Sequence, residues 1–73
     1  MVYKNEIELI KSVGEKIKHF RLKQNISQEQ LSFESGIPRV QIGRIERGET
    51  NATLKTLFFI SKALDVSITE FLK

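Results

Sequence analysis

A chain of 73 residues with no cysteine and a single histidine, His19, can build neither a disulfide framework nor a zinc site, and its length suits one domain around one apolar core. Twelve Lys/Arg against nine Asp/Glu give a net charge of +3 and a pI near 9.5, which permits a polyanionic partner without requiring one. No apolar run reaches the ~20 residues that a membrane helix needs, and the N-terminus carries no signal-peptide pattern, so the expectation is a cytoplasmic protein with neither membrane partner nor cofactor.

The first element is an amphipathic helix over residues 5–24. Ile7, Ile10, Val13, Ile17 and Phe20 recur at three- and four-residue steps and predict its inward stripe. Asn25 ends it, and Ile26 reads as a core residue ahead of the next cap. Lys4, Lys11, Lys16, Lys18 and Lys23 decorate the other faces. Solvation accounts for most of them; for Lys16 or Lys18 the alternative is a phosphate contact.

Residues 27–48, SQEQLSFESGIPRVQIGRIERG, follow as two short helices around a tight turn. Ser27 is a good N-cap, and Gln30 completes the S-x-x-Q capping box. Leu31 points inward. Ser35-Gly36 stops this helix, because glycine enters the left-handed region of a C′ residue without a Cβ penalty. Pro38 restarts helix in its first turn, where a missing N–H costs nothing, and the second helix is expected over residues 38–47. Ile42 and Ile45 share one face with Pro38, and Glu46 borders it. Val40, Gly43, Arg44 and Arg47 fall on the opposite arc, with Arg39 beside them. Three of the chain's four arginines therefore lie on one outward stripe. Arginine pairs bidentately with the O6 and N7 of guanine, and an apolar side chain meets the thymine methyl. Gly43 at mid-stripe would let the backbone approach a phosphate or a base edge. The plainer alternative is a solvated helix face, its arginines free or paired with Glu29, Glu34 or Glu49.

Residues 48–52 read as a loop. Thr53 caps a helix whose inward residues are Leu54, Leu57, Phe58, Ile60, Ala63 and Leu64; Asp65 ends it, and Val66 anchors the chain. Ser67 with Glu70 predicts a second capping box before a last short helix holding Ile68, Phe71 and Leu72. Five helices without a strand make the fold class all-α.

These residues resemble the helix-turn-helix of phage Cro proteins and repressors, the xenobiotic-response-element group of bacterial transcriptional regulators. Counting from Gln28, the fifth, ninth, fifteenth and eighteenth positions are Ser32, Gly36, Ile42 and Ile45, matching the family's small, glycine, aliphatic and aliphatic pattern. The resemblance extends to Arg21, to Glu46 followed by Arg47-Gly48, and to the downstream NATLKTLFFISKALDVS, covering about residues 13–72. Residues 1–12 are then an N-terminal extension of the first helix, residues 27–47 the helix-turn-helix and residues 53–72 the C-terminal helices of a phage-repressor-like domain. The resemblance implies a largely buried ion pair between Arg21 and Glu46, and a Gln28 that holds the DNA backbone. It departs from the family at Ala52, often proline, and at Phe33 and Phe59, where polar exposed residues are usual. Either the N-terminal extension covers one of these aromatics or they mark an interface. Phe59 with Ile68, Phe71 and Leu72 is the candidate homodimer surface.

Bulk charge does not recruit DNA to the motif. Residues 1–26 carry six Lys/Arg against three acids, residues 27–50 three against four, and residues 51–73 three against two. The expectation rests on direction instead. Arg39, Val40, Gln41 and Arg44 are assigned to bases. Ser27 and Gln28, at a helix N-terminus, together with Gly43, Arg47, Thr50 and Asn51, are assigned to the DNA backbone. Two copies on a twofold axis would occupy palindromic half-sites roughly 34 Å apart. The function read from the sequence is thus a homodimeric regulator of double-stranded DNA, a repressor in its main form. The alternatives are an antitoxin with a toxin partner, a restriction–modification controller, or a protein-interaction module. No cluster of His, Cys or paired carboxylates points to an enzyme; Glu6 and Glu8 face different sides of their helix.

Overall fold

The computed structural model describes residues 3–73; residues 1 and 2 of the expected extension lie outside the described residues. Four α-helices run as α1 Glu6–Lys23, α2 Gln28–Ser35, α3 Arg39–Glu46 and α4 Leu54–Leu64, and a 3-10 turn Ile68–Phe71 closes the chain. The fifth helix is therefore one short 3-10 turn rather than an α-helix. The Glu70 carboxylate accepts from Lys73 at 2.8 Å instead of reaching back to Ser67, so the second capping box does not form as a reciprocal pair. The first is half made too. Ser27 Oγ accepts the Gln30 backbone N–H at 3.0 Å, while the Gln30 side-chain amide donates to Glu34.

Helix boundaries follow local chemistry. Asn5 caps α1 through the Glu8 backbone N–H, and Thr53 caps α4 through that of Thr56. Asn25 and Asp65 take left-handed backbone where α1 and α4 end, which these short polar residues tolerate better than most. Gly36 stands at φ 77° with open space where a Cβ would sit, so its requirement is conformational. Pro38 is the extended N-cap at ψ 140°, so α3 begins at Arg39, one residue later than expected. The turn between α2 and α3 is fastened by Ser32, whose hydroxyl donates to the Ile37 carbonyl at 2.6 Å.

Ile17, Leu31, Ile42, Ile45, Ile60, Leu64 and Phe71 form a fully enclosed core joining all four helices and the last turn. Burying such side chains stabilises the fold by ~1.5–3 kcal/mol each before entropy is counted. Two inward assignments are corrected in α4. Leu54 is 72% exposed and Phe58 also faces solvent. The helix buries only a stripe through Leu57, Ile60, Ser61 and Leu64, and Phe58 instead lies at a tilt beside Phe59 and under Lys62. At the start of α1, Ile7 is likewise exposed, because this first turn lies at the edge of the core.

Phe71, expected on a dimer surface, is completely buried, 6.2 Å from the Phe20 ring. The short turn folds its aromatic side chain under α1, and this withdraws it from any interface. Phe59 and Leu72 remain exposed, and Ile68 is partly buried against the core.

Candidate nucleic-acid interface

The crossing of α1 over α3 sets the orientation of the candidate reading helix. Gly14 sits against the carbonyls of Ile45 and Glu46; a Cβ there would overlap the Ile45 oxygen and lie 2.9 Å from that of Glu46. Only glycine lets these backbones approach so closely, a role not assigned from the sequence, although an isolated glycine in an amphipathic helix is a usable signal of close packing. With α1 pressed on this side, Ile42 and Ile45 are buried, and Arg39, Val40, Arg44 and Arg47 face solvent. Val40 is 70% exposed. Gln41 is half-buried and shares a shallow depression with Pro38, Val40, Arg44 and Thr50.

The far end of α3 is locked from below. Arg21 makes a bidentate pair with Glu46, Nε to Oε2 at 2.7 Å and Nη2 to Oε1 at 2.9 Å, and its Nη1 donates to the Ile26 carbonyl at 2.8 Å. The two side chains are only 9% and 2% exposed. Gln28 completes the set, donating its amide to Glu46 Oε1 at 3.1 Å. A buried charge pair is tolerable only when its remaining hydrogen-bonding capacity is met in this way. One carboxylate therefore joins the end of α1, the start of α2 and the end of α3. Gln28 is thus a structural tie as well as a residue at the N-terminus of α2.

Gly43 departs from its assignment. It is buried, and a Cβ there would lie 3.1 Å from Arg47 Nη1 and 3.5 Å from Gln28 Oε1. Gly43 makes room for these side chains, which cover it; its backbone is not open to a phosphate. The helical wheel placed it near the outward arc, but the start of α2 packs across that flank.

Arg47 is exposed and paired. Its Nε donates to Glu49 Oε2 at 2.7 Å and its Nη2 to Oε1 at 3.3 Å. This hydrogen bond holds the Glu49 carboxyl below its ordinary range, helped by the charges of Arg47 and Arg44, and raises Arg47 in turn. Arg39 and Arg44 form no salt bridge among the described residues. Of the carboxylates considered as partners for this face, only Glu49 takes an arginine, and it takes Arg47. Ser27 and Asn51 are exposed and Thr50 is half-buried.

A helix that buries aliphatics on one side and shows unpaired guanidinium groups on the other, after a short helix and a glycine turn, is the arrangement that enters a major groove. The helix-turn-helix (HTH_3) family model matches residues 17–71. The chain belongs to this family. It is a DNA-binding helix-turn-helix transcriptional regulator, a class of binding proteins rather than enzymes. It is similar to control protein C.SmaI of Serratia marcescens, with 43% identity over 60 residues covering 82% of this chain and 71% of that protein. Control protein C.BamHI of Bacillus amyloliquefaciens is 46% identical over 63 residues, covering 85% and 75%. Among solved structures, the restriction-modification controller protein C.Esp1396I, as a tetramer in complex with its natural 35 base-pair operator, superposes with a TM-score of 0.78 at 38% identity, over 89% of this chain and 96% of that one. These relatives favour the controller alternative over the plain repressor and the antitoxin.

Proposed function

We propose that this protein is a restriction–modification controller that binds a palindromic operator as a homodimer, residues 1–73 acting as one DNA-binding domain in the cytoplasm. The observation that carries the reading is the outward arc of α3, in which Arg39, Val40 and Arg44 are open to solvent above buried Ile42 and Ile45. Arg39 and Arg44 read guanine edges, Val40 meets a thymine methyl and Gln41 reaches from the rim. Ser27, Gln28, Arg47, Thr50 and Asn51 grip the phosphates on either side; Gly43 leaves that list.

The similarity to controller proteins, one of them solved on its operator, supports the choice of controller. For the dimer, Leu72 and the exposed Leu54 border an apolar groove of ≈ 200 Å³ that also runs along Leu9, Ile10 and Leu57. Exposed aliphatics around a groove are what a second copy would cover. Phe59 and Ile68 stay in the proposed surface; Phe71 does not. Selection of bound duplexes from a random pool, with the mass of free and bound protein measured by light scattering, tests the reading. It expects a palindromic consensus bound by an even number of copies, with affinity falling steeply as salt rises. A pool that yields no consensus overturns it.

A further inference from the structure

Three of the four glycines answer to the fold. Gly36 and Gly48 take left-handed backbone at φ 77° and 72°, and Gly14 faces carbonyl oxygens that cannot move aside. Gly43 meets neither demand. It is the fifth of the eight residues of α3 and has helical backbone, in a place where alanine stabilises a helix more than glycine does. A Cβ there would have Arg47 Nη1 at 3.1 Å, Gln28 Oε1 at 3.5 Å and Arg47 Cζ at 3.8 Å. Both neighbours are side-chain ends, and both belong to residues assigned above to DNA phosphates.

The two ends are held very differently. Gln28 is anchored: its amide donates to Glu46 Oε1 at 3.1 Å, and Glu46 is itself gripped by Arg21, so Gln28 Oε1 has a set position. Arg47 starts at the end of α3 and runs back one turn to lie over Gly43. Its Nε and Nη2 face Glu49 in an exposed pair, which restrains it little. Nη1 takes no part in that pair and lies against Gly43, on the side of Gln28.

We propose that Gly43 is a positioning residue for phosphate binding: its bare backbone is the seat on which the Arg47 guanidinium lies beside Gln28, so that one DNA phosphate meets both. The inference rests on the DNA reading of α3 given above. A Cβ would fill the seat. Because Gln28 is anchored and Arg47 is not, the guanidinium is the group that gives way and leaves the surface of α3. It must then be ordered again whenever a phosphate binds, and ordering one long side chain weakens association by roughly 2- to 10-fold. Glycine at this position serves binding, although it makes the helix less stable.

The test is Gly43→Ala in the full chain, with affinity measured for a duplex recovered by selection and for a scrambled duplex of the same length, across a series of salt concentrations, and with a thermal melt of each variant. Affinity should fall roughly 2- to 10-fold on both duplexes, since phosphates are common to them, and the salt dependence should flatten by up to about one released counterion. The melting temperature should not fall, and the gain in helix propensity should raise it by up to about 8 °C. In the Arg47→Ala background the same substitution should leave affinity unchanged. An unchanged affinity of the single variant, a loss confined to the selected duplex, a loss that persists in Arg47→Ala, or a lowered melting temperature each overturns the proposal. If wild type shows no salt-sensitive binding to either duplex, the DNA reading of α3 has itself failed, and the role given to Gly43 falls with it.

Discussion

Glu46 and Glu49 stand three residues apart, and each accepts a 2.7 Å hydrogen bond from an arginine Nε. Distance alone would rank the two pairs as equals. Their surroundings separate them: the Arg21–Glu46 side chains are 9% and 2% exposed, those of Arg47 and Glu49 57% and 50%. Below α3 the carboxylate is almost shut off from water, so both its oxygens must find protein donors, and Arg21 and Gln28 provide three hydrogen bonds. Above α3, water solvates either partner as readily as they bind one another. Burial therefore turns one pair into a fastening for three helices and leaves the other as an exchangeable pair at the surface.

Five substitutions break or sharpen this contrast. Glu46→Ala strands the buried Arg21 guanidinium and should cost about 3–5 kcal/mol; in a domain this small that lowers the melting temperature by well over 10 °C, and an unchanged melt would erase the distinction between the two pairs. Gly14→Ala drives a Cβ into the carbonyls at the end of α3 and should cost roughly 1–3 kcal/mol as an overpacked crossing, read as a lower urea midpoint. Arg44→Ala should leave folding intact but relax preference at one base pair by about 1–3 kcal/mol, whereas Gln28→Ala should weaken all duplexes alike; uniform weakening by both would remove the base-reading assignment. The smallest effect is on the exposed side, where Glu49→Ala should give a melting curve superimposable on that of wild type.

Features governed by neighbours along the chain are legible in the sequence. Ser27, Thr53, Asn25, Gly36 and Asp65 mark helix ends through their own hydrogen bonds or backbone preferences. The 3.6-residue period separated Ile42 and Ile45 from Arg39, Val40 and Arg44, because a helix of two turns has only one side to bury. Errors arose where a second segment decides what is covered. Periodicity placed Leu54 and Phe58 inward, but nothing packs over that flank of α4. It left Gly43 outward, where the start of α2 lies across it. Phe71 looked like surface because a terminal turn carries no period long enough to show which way it folds.

The sequence by itself determined an all-α chain, the position of its turn and the side of α3 that carries the guanidinium groups, since capping, backbone preference and helical period are properties of residues a few places apart. Only the tertiary structure decided that Gly14 seats α1 on α3, that Gln28 joins the Arg21–Glu46 pair, that Gln24 reaches the Leu64 carbonyl at 2.6 Å, and that Glu49 rather than Glu29 or Glu34 takes Arg47. Each of these depends on where a helix axis comes to rest against another. Close approach, desolvation and the choice among rival partners are settled by three-dimensional distance, which the linear order of residues does not contain.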